Sequence, residues 1–337
     1  MKRARFADHY STILVAVAAA MWSTDAYFRP VLVHALSASE IVLVEDFLIC
    51  LCFLPLVPRV LRELRQLDAR HWLALIVIAA GPQAVATVLF TRSLSFAFPA
   101  QRPPNLAVLN EVYFLYLLQP LFAVAGATLV LRERRRPYFW ALAALAFAGV
   151  YLIVFPQDPL APFSTLEHAQ LIAALLVLGA VILWASGTVL GRYALQQVSF
   201  LTTSTMRFSI ALPVLLVLTL VDTGARGFGH YAISQLPSFL GIALIPGVVA
   251  MLVYYRGLSS TPASLATFAE LGYPCALFLA FSLPKPVGLG APLHLTAVLG
   301  ALTLVVAVTA LNGLKQRHIV EPAAPPARVL TGIGALD

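Results

Sequence analysis

The stretch Val85–Ser95, VATVLFTRSLS, returns at Val249–Ser259 as VAMLVYYRGLS. Val, Ala, Arg, Leu and Ser stand at identical places in the two copies, 164 positions apart, and Pro82 and Pro246 precede them at the same shift. The register continues outward. Trp22 and Trp184 differ by 162 positions, as do Glu45 and Arg207, and Pro120 and Pro274 differ by 154. The shorter shift places about ten extra residues in the first half, around the stretch PAQRPPN. A chain that repeats itself over half its length is built from two copies of one substructure.

Composition says where those copies reside. Of 337 residues, 60% are hydrophobic and only 11% charged, with a mean hydropathy of +0.88. A soluble domain carries roughly 25% charged residues, so this chain has too little polar surface to cover itself and is an integral membrane protein. Few windows alternate strictly between apolar and polar residues, which excludes a membrane β-barrel. The net charge of +7 comes from short basic clusters between apolar runs, the pattern of loops at a membrane rather than of a nucleic-acid surface. Cys50, Cys52 and Cys275 are odd in number and lie in apolar runs, so they read as small core residues and not as a disulfide framework. The first apolar run is too long for the core of a cleaved signal peptide.

Apolar runs of about 20 residues, the length that crosses a bilayer, give ten spans: Ile13 to Val33, Ile41 to Pro58, Trp72 to Phe98, Leu106 to Leu131, Tyr138 to Phe155, Leu171 to Leu190, Leu201 to Val221, Phe239 to Leu258, Leu265 to Leu283 and Leu295 to Leu311. The expected fold is an all-α polytopic membrane protein whose ten transmembrane helices form two inverted five-helix repeats. Five spans per half is an odd number, so the second half enters the membrane from the opposite side, the arrangement that permits alternating access. This gives an N-terminus at 1–11, a first repeat at 12–156, a central external linker at 157–168, a second repeat at 169–313 and a proline-bearing tail, read as disordered, at 314–337.

Lys and Arg set the orientation. With the N-terminus inside, the inner segments hold fourteen of them, from Lys2 to Arg328, and the outer loops hold three, Arg102, Arg226 and Lys285. That bias places both termini in the cytoplasm. Trp72 and Trp140 fall at inner span ends, where indoles settle at the interface.

A charge at mid-bilayer costs roughly 2.5–3.5 kcal/mol on insertion scales, so charged residues in spans face a cavity or a partner. Asp25, Glu45, Asp46, Glu111 and Glu270 are the acids in question. Glu45 and Arg207 hold equivalent places in the two halves, and pseudo-symmetry brings both toward the axis, either as a pair or as separate contacts to a zwitterion. Asp25 lies one turn after Trp22 and four residues before Arg29, a spacing that suits a local ion pair. Glu270 lies one turn before Pro274, whose missing N–H leaves the Glu270 carbonyl without its helical partner. A carboxylate at such a bend could bind a cation or a proton. Pro82, Pro120, Pro246 and Pro274 are expected kinks. Arg92 and Arg256 share a repeat position near span ends and are expected to snorkel. Trp184, Tyr254 and Tyr273 join Trp22 as candidate cavity walls.

These features resemble the EamA-like branch of the drug/metabolite transporter superfamily. The resemblance rests on Trp22, the stretch FTRSL ending the third span, the run LLQPLFAVAGATLVLRER in the fourth, and MRF with Arg207 in the seventh. Within the fourth span, Pro120 and the segment Leu131–Arg132–Glu133 match the family's mid-helix proline and terminal Leu-x-Glu. The chain departs from the pattern at Glu45–Asp46, where the family often has Arg, and at SLPKP, which ends the ninth span without Leu-x-Glu. The resemblance implies an inner-membrane carrier of small metabolites, often an exporter of amino acids or related compounds.

Phosphate-cradling Gly loops, HExxH and His/Cys clusters with metal spacing are all missing from the sequence. The expectation is therefore a secondary carrier, not an enzyme, with no cofactor and no metal, whose partners are a small-molecule substrate and the lipid bilayer and not nucleic acid. A homodimer remains open, as does proton coupling. The competing classes are a membrane enzyme or an exchanger acting on nucleotide-sugar or lipid-linked substrates, and a scaffold subunit without cavity-facing charges.

Overall fold

The computed structural model describes residues 2–99, 105–133, 135–155, 168–224, 231–284 and 294–313. The expected central linker up to residue 167, the tail expected to be disordered and most of the PAQRPPN and PKPVGLGAP loops lie outside them; His168, the linker's last expected residue, already belongs to a helix.

Among the described residues, nine helical stretches are long and apolar enough to cross a membrane, and a tenth apolar helix is slightly shorter. In chain order they are α1 (Tyr10–Val33), α2 (Ala38–Leu64), α3 (Ala69–Ala97), α4 (Leu106–Tyr116 and Gln119–Val130), α5 (Pro137–Val154), α6 (His168–Ala194), α7 (Phe200–Thr223), α8 (Ile233–Leu258), α9 (Ala263–Ala269 and Gly272–Ser282) and α10 (Leu295–Gly313). Leu129, Val221 and Val306 are examples of the large apolar side chains left on the outer surface, which suits contact with lipid tails.

Local sequence explains where these helices start. Ser37 opens α2 with a capping box in which Glu40 answers its side chain. Asp68 accepts from the His71 N–H at the start of α3, and Ser199 accepts from the Thr202 N–H at the start of α7. The apolar pattern alone ends the second span at Pro58 and leaves RVLREL to a loop. The helix in fact runs on to Leu64. Pro55 and Pro58 each fall in the first turn of a new segment, where the missing N–H costs nothing. Val60 and Leu64 then bury themselves against Leu75, Ile78 and Ala194.

The four expected kink prolines act in two ways. Pro82 and Pro246 lie inside π-helical turns, Ala79–Val85 and Ala243–Val249, again 164 positions apart. The wider turn accommodates a ring that would clash with the carbonyl four residues back. Pro120 and Pro274 instead stand just after full breaks, which divide α4 and α9 into half-helices. The Glu270 carbonyl is not orphaned as expected, because it accepts from the Tyr273 N–H at 3.0 Å.

The two repeats interlock. α1 packs along α8 and α9, and α6 packs along α3 and α4. The last helix of each repeat, α5 and α10, lie against each other where Gly149 and Gly300 meet. A Cβ placed on Gly149 would lie 2.7 Å from the Gly300 carbonyl oxygen, so only glycine permits this approach.

Candidate functional site

A cavity of about 140 Å³ lies where the repeats meet, room for on the order of ten water molecules. Its polar lining falls into three groups.

The first group is centred on Arg29, in the segment Asp25–Val33 that completes α1. Its Nε donates to Asp25 Oδ2 at 2.6 Å, Nη2 to Glu45 Oε2 at 2.9 Å and Nη1 to Thr91 Oγ1 at 3.0 Å. The expected local pair between Asp25 and Arg29 is present, and the same guanidinium also holds Glu45. Glu45 and Arg207 therefore line one cavity without pairing with each other.

The second group begins at Arg207 of α7. Its Nε donates to Gln83 Oε1 at 2.6 Å and its Nη1 to the Tyr255 hydroxyl at 3.1 Å. Gln83, beside Pro82 in the π turn of α3, passes its own Nε2 donor to Asp46 Oδ1 at 2.9 Å. Among the described residues no carboxylate lies within salt-bridge distance of Arg207. Its positive charge is spaced from buried Asp46 by one amide.

The third group surrounds Glu270, at the break in α9. Oε2 accepts from Gln119 Nε2 at 2.5 Å. Oε1 accepts from the Tyr254 hydroxyl at 2.8 Å and from Thr188 Oγ1 at 3.2 Å. Glu270 is 3% exposed, and among the described residues no basic side chain pairs with it. A buried carboxylate held only by neutral donors is an uncommon and costly arrangement.

Aromatic rings form the walls, and they obey the repeat. Trp22 of the first repeat meets Tyr254 of the second at a centroid distance of 5.1 Å; the equivalent Trp184 meets Phe90, the counterpart of Tyr254, also at 5.1 Å. Tyr116 packs with its ring centroid 5.0 Å from that of Tyr273.

The structure thus gathers Trp22, Asp25, Glu45, Trp184, Arg207, Tyr254, Glu270 and Tyr273 around one cavity. Glu111 is the exception: it is half-buried on α4 and not part of the lining. Arg92 and Arg256 are exposed, as snorkelling requires. Sequence reasoning misses Gln83, Phe90, Tyr116, Gln119 and Thr188. The repeat register holds the signal for three of them. A shift of 164 carries Phe90 onto Tyr254, and a shift of 154 carries Tyr116 onto Glu270 and Gln119 onto Tyr273.

Comparison with known proteins places the whole membrane portion. The profile of the EamA-like transporter family matches residues 9–155 and 171–313, one match for each repeat. The chain is similar to the riboflavin transporter ImpX of Fusobacterium nucleatum subsp. nucleatum, at 27% identity over 268 residues, which is 78% of this chain and 85% of that protein. A solved crystal structure superimposes with a TM-score of 0.67 over 91% of this chain and 98% of its own, at 16% identity, a likeness of fold alone.

Proposed function

This chain belongs to the EamA-like transporter family, membrane transporters of small metabolites, and on that premise we propose that it is a secondary carrier of a small polar solute bearing a planar ring. The observation that carries this reading is the pairing of unsatisfied charge with aromatic walls. Arg207 has no acid partner and Glu270 no basic partner among the described residues, and both line one cavity with Trp22, Trp184 and Tyr273. A ring stacks on such walls while its polar groups take the two free poles.

A flavin is the first candidate, because the relative from Fusobacterium bears the name of a riboflavin transporter. An aromatic amino acid, of the class the family resemblance implies, offers the same fit with its carboxylate on Arg207 and its ammonium on Glu270. Either way the poles differ from the expected Glu45 and Arg207, since Arg29 occupies Glu45. Glu270 is also the carboxylate best placed to take up a proton during transport, because, unlike Asp25 and Glu45, it lines the cavity without a basic partner among the described residues.

The carrier works by alternating access between the two inverted repeats, in the cytoplasmic membrane with both termini inside. The basic-residue bias supports that orientation. The test is uptake by proteoliposomes of labelled riboflavin, tryptophan and alanine, with and without a pH gradient. Saturable uptake of one ring-bearing solute, above that of alanine, is expected. Equal transport of alanine would overturn the ring requirement, and transport indifferent to the gradient would overturn proton coupling.

A further inference from the structure

The turn between α4 and α5 reaches across to the second repeat. α4 ends with Leu131 N–H and Glu133 N–H both bonded to the Ala127 carbonyl, at 3.0 and 3.2 Å. Arg132 takes a φ of 56°, the left-handed conformation that closes this kind of helix end. The turn delivers Glu133 to the start of the first half of α9 (Ala263–Ala269). Glu133 Oε1 accepts from the Ala263 N–H at 2.9 Å, and Oε2 accepts from the Ser264 N–H at 3.1 Å and from the Ser264 hydroxyl. Arg135 closes the group: it donates to Glu133 Oε2 at 2.8 Å and to Ser264 Oγ, and its side chain is only 1% exposed.

That half-helix is short, buried and separated from the second half of α9. Its seven residues end at Ala269, and Glu270 caps it where the chain breaks before Gly272. At the break the ladder shifts to tighter bonds, from Leu271 N–H to the Phe268 carbonyl and from Tyr273 N–H to the Glu270 carbonyl. One end of this unit is therefore gripped by Glu133, and the other end carries Glu270, which Gln119 holds in the cavity. Ala263, Ser264, Ala266 and Ala269 give it a smooth surface of small side chains, over which α4 and α1 pack.

The sequence of the other repeat has no acid with which to make the same grip. A shift of 154 carries Glu133 onto Val287, within SLPKPV, where the sequence offers no acid. An inverted repeat exchanges its two faces between states, so a contact made by one repeat alone weights those states unequally.

We propose that Glu133, with Arg135 and Ser264, latches one face of the carrier, and that the half-helix Ala263–Ala269, hinged at the Glu270 break, is the part it releases. The latched face is the one at which α1 begins, since the turn from α4 to α5 and the turn from α8 to α9 both return there. The same turn region meets α1 directly, through Ser11 and Thr261 hydroxyls 3.0 Å apart. Because Glu270 caps the half-helix, a solute or proton that draws Glu270 from Gln119 loads the hinge. The latch and the binding site thus act on one rigid piece. This step rests on the carrier reading but on no particular substrate.

The test uses Thr267→Cys in the full chain with Cys50, Cys52 and Cys275 replaced by alanine. Thr267 is buried on the half-helix. An impermeant maleimide is applied to membrane vesicles of each orientation, without substrate. With Glu133 intact, labelling is slow from both sides. Glu133→Gln is expected to raise the rate at least tenfold from the α1-start face and leave the other face unchanged. Ser264→Ala, a milder cut, is expected to move it in the same direction, which keeps the proposal testable if Glu133→Gln fails to fold. An unchanged rate in both variants, or an equal rise from both faces, overturns the latch. Failure of the transport panel would leave this result standing, and failure here would leave the substrate reading intact.

Discussion

Gln119 donates to Glu270 at 2.5 Å across the line where the two broken helices meet. The contact is one of a crossed set. Tyr116 and Glu270 hold the same place in the two repeats, as do Gln119 and Tyr273. Each member of one repeat touches the other kind of member in the opposite repeat: Tyr116 meets Tyr273, and Gln119 meets Glu270. This is the reciprocity a two-fold axis imposes. At each of the two positions one repeat has an aromatic and the other a polar group, so the seam is aromatic on one side and hydrogen-bonded on the other. We expect Glu270→Gln to preserve packing and to cut uptake driven by a pH gradient far more than solute exchange, which loses only the charge of that pole. Proteoliposome counterflow measured beside gradient-driven uptake checks this, and equal loss of both would mean that Glu270 binds solute only.

Arg29 is 4% exposed and holds two carboxylates. Removing one partner of a buried ion pair costs about 3–5 kcal/mol, because the charge left behind has no solvent. Arg29→Ala strands two such charges at once, Asp25 and Glu45, and is expected to lower the melting temperature of the detergent-purified protein more than any other single change in the cavity. Adding Asp25→Asn and Glu45→Gln to it is expected to recover most of the loss. A melting temperature unmoved by Arg29→Ala would show that the triad is solvated.

The fold is legible because apolar runs and repeats are local, countable features. Ten runs of membrane length and a register shared by the two halves require an all-α protein of two repeats, and both are found. Ion pairing is less legible. The i, i+4 spacing reveals Asp25–Arg29, but nothing in the order of residues says that Arg29 also spans to Glu45, which is sixteen positions away on another helix. Glu45 and Arg207 match because they share a repeat position. Shared position places two residues symmetrically about an axis; it does not bring them into contact. Residues related by symmetry touch only on the axis itself. Contacts off the axis pair different positions, as Trp22 does with Tyr254. Gln83 and Gln119 escape notice because a neutral amide in an apolar span is cheap enough to draw no attention, although each ends up bonded to a buried carboxylate.

The approach of α5 to α10 gives a prediction about packing alone. Cβ atoms on Gly149 and Gly300 would each fall within 3 Å of the opposite backbone. Overpacking of this kind typically costs about 1–3 kcal/mol. Gly149→Val is therefore expected to lower the melting temperature, whereas Gly224→Ala, in open space, is limited by its φ of 64° and not by any neighbour. Neither Gly149 nor Gly300 lines the cavity, so Gly149→Val is expected to leave KM unchanged in whatever fraction folds. A shift in KM would show that the outer helix pair moves with the site.

Trp22 and Trp184 offer the sharpest test of how the substrate sits. Both line the cavity, they occupy the same repeat position, and each packs at 5.1 Å against the counterpart of the other's neighbour. Two tryptophans at one repeat position, both in the lining of one cavity, suit a flat ring held between them. An aromatic pair contributes about 0.5–1.5 kcal/mol beyond its buried area, and a tenfold change in affinity is about 1.4 kcal/mol. Trp22→Leu and Trp184→Leu keep apolar bulk and remove the large ring face. If the solute is sandwiched, each substitution should raise KM for a ring-bearing substrate by up to about tenfold, and the two effects should be similar because the walls are equivalent. A solute held on one wall only would answer to one tryptophan and ignore the other. A solute held by its charged groups alone would answer to neither, while remaining sensitive to Arg207→Gln. Measuring KM for the three variants with the transported member of the panel separates these cases, and the symmetric outcome is the one the sandwich predicts.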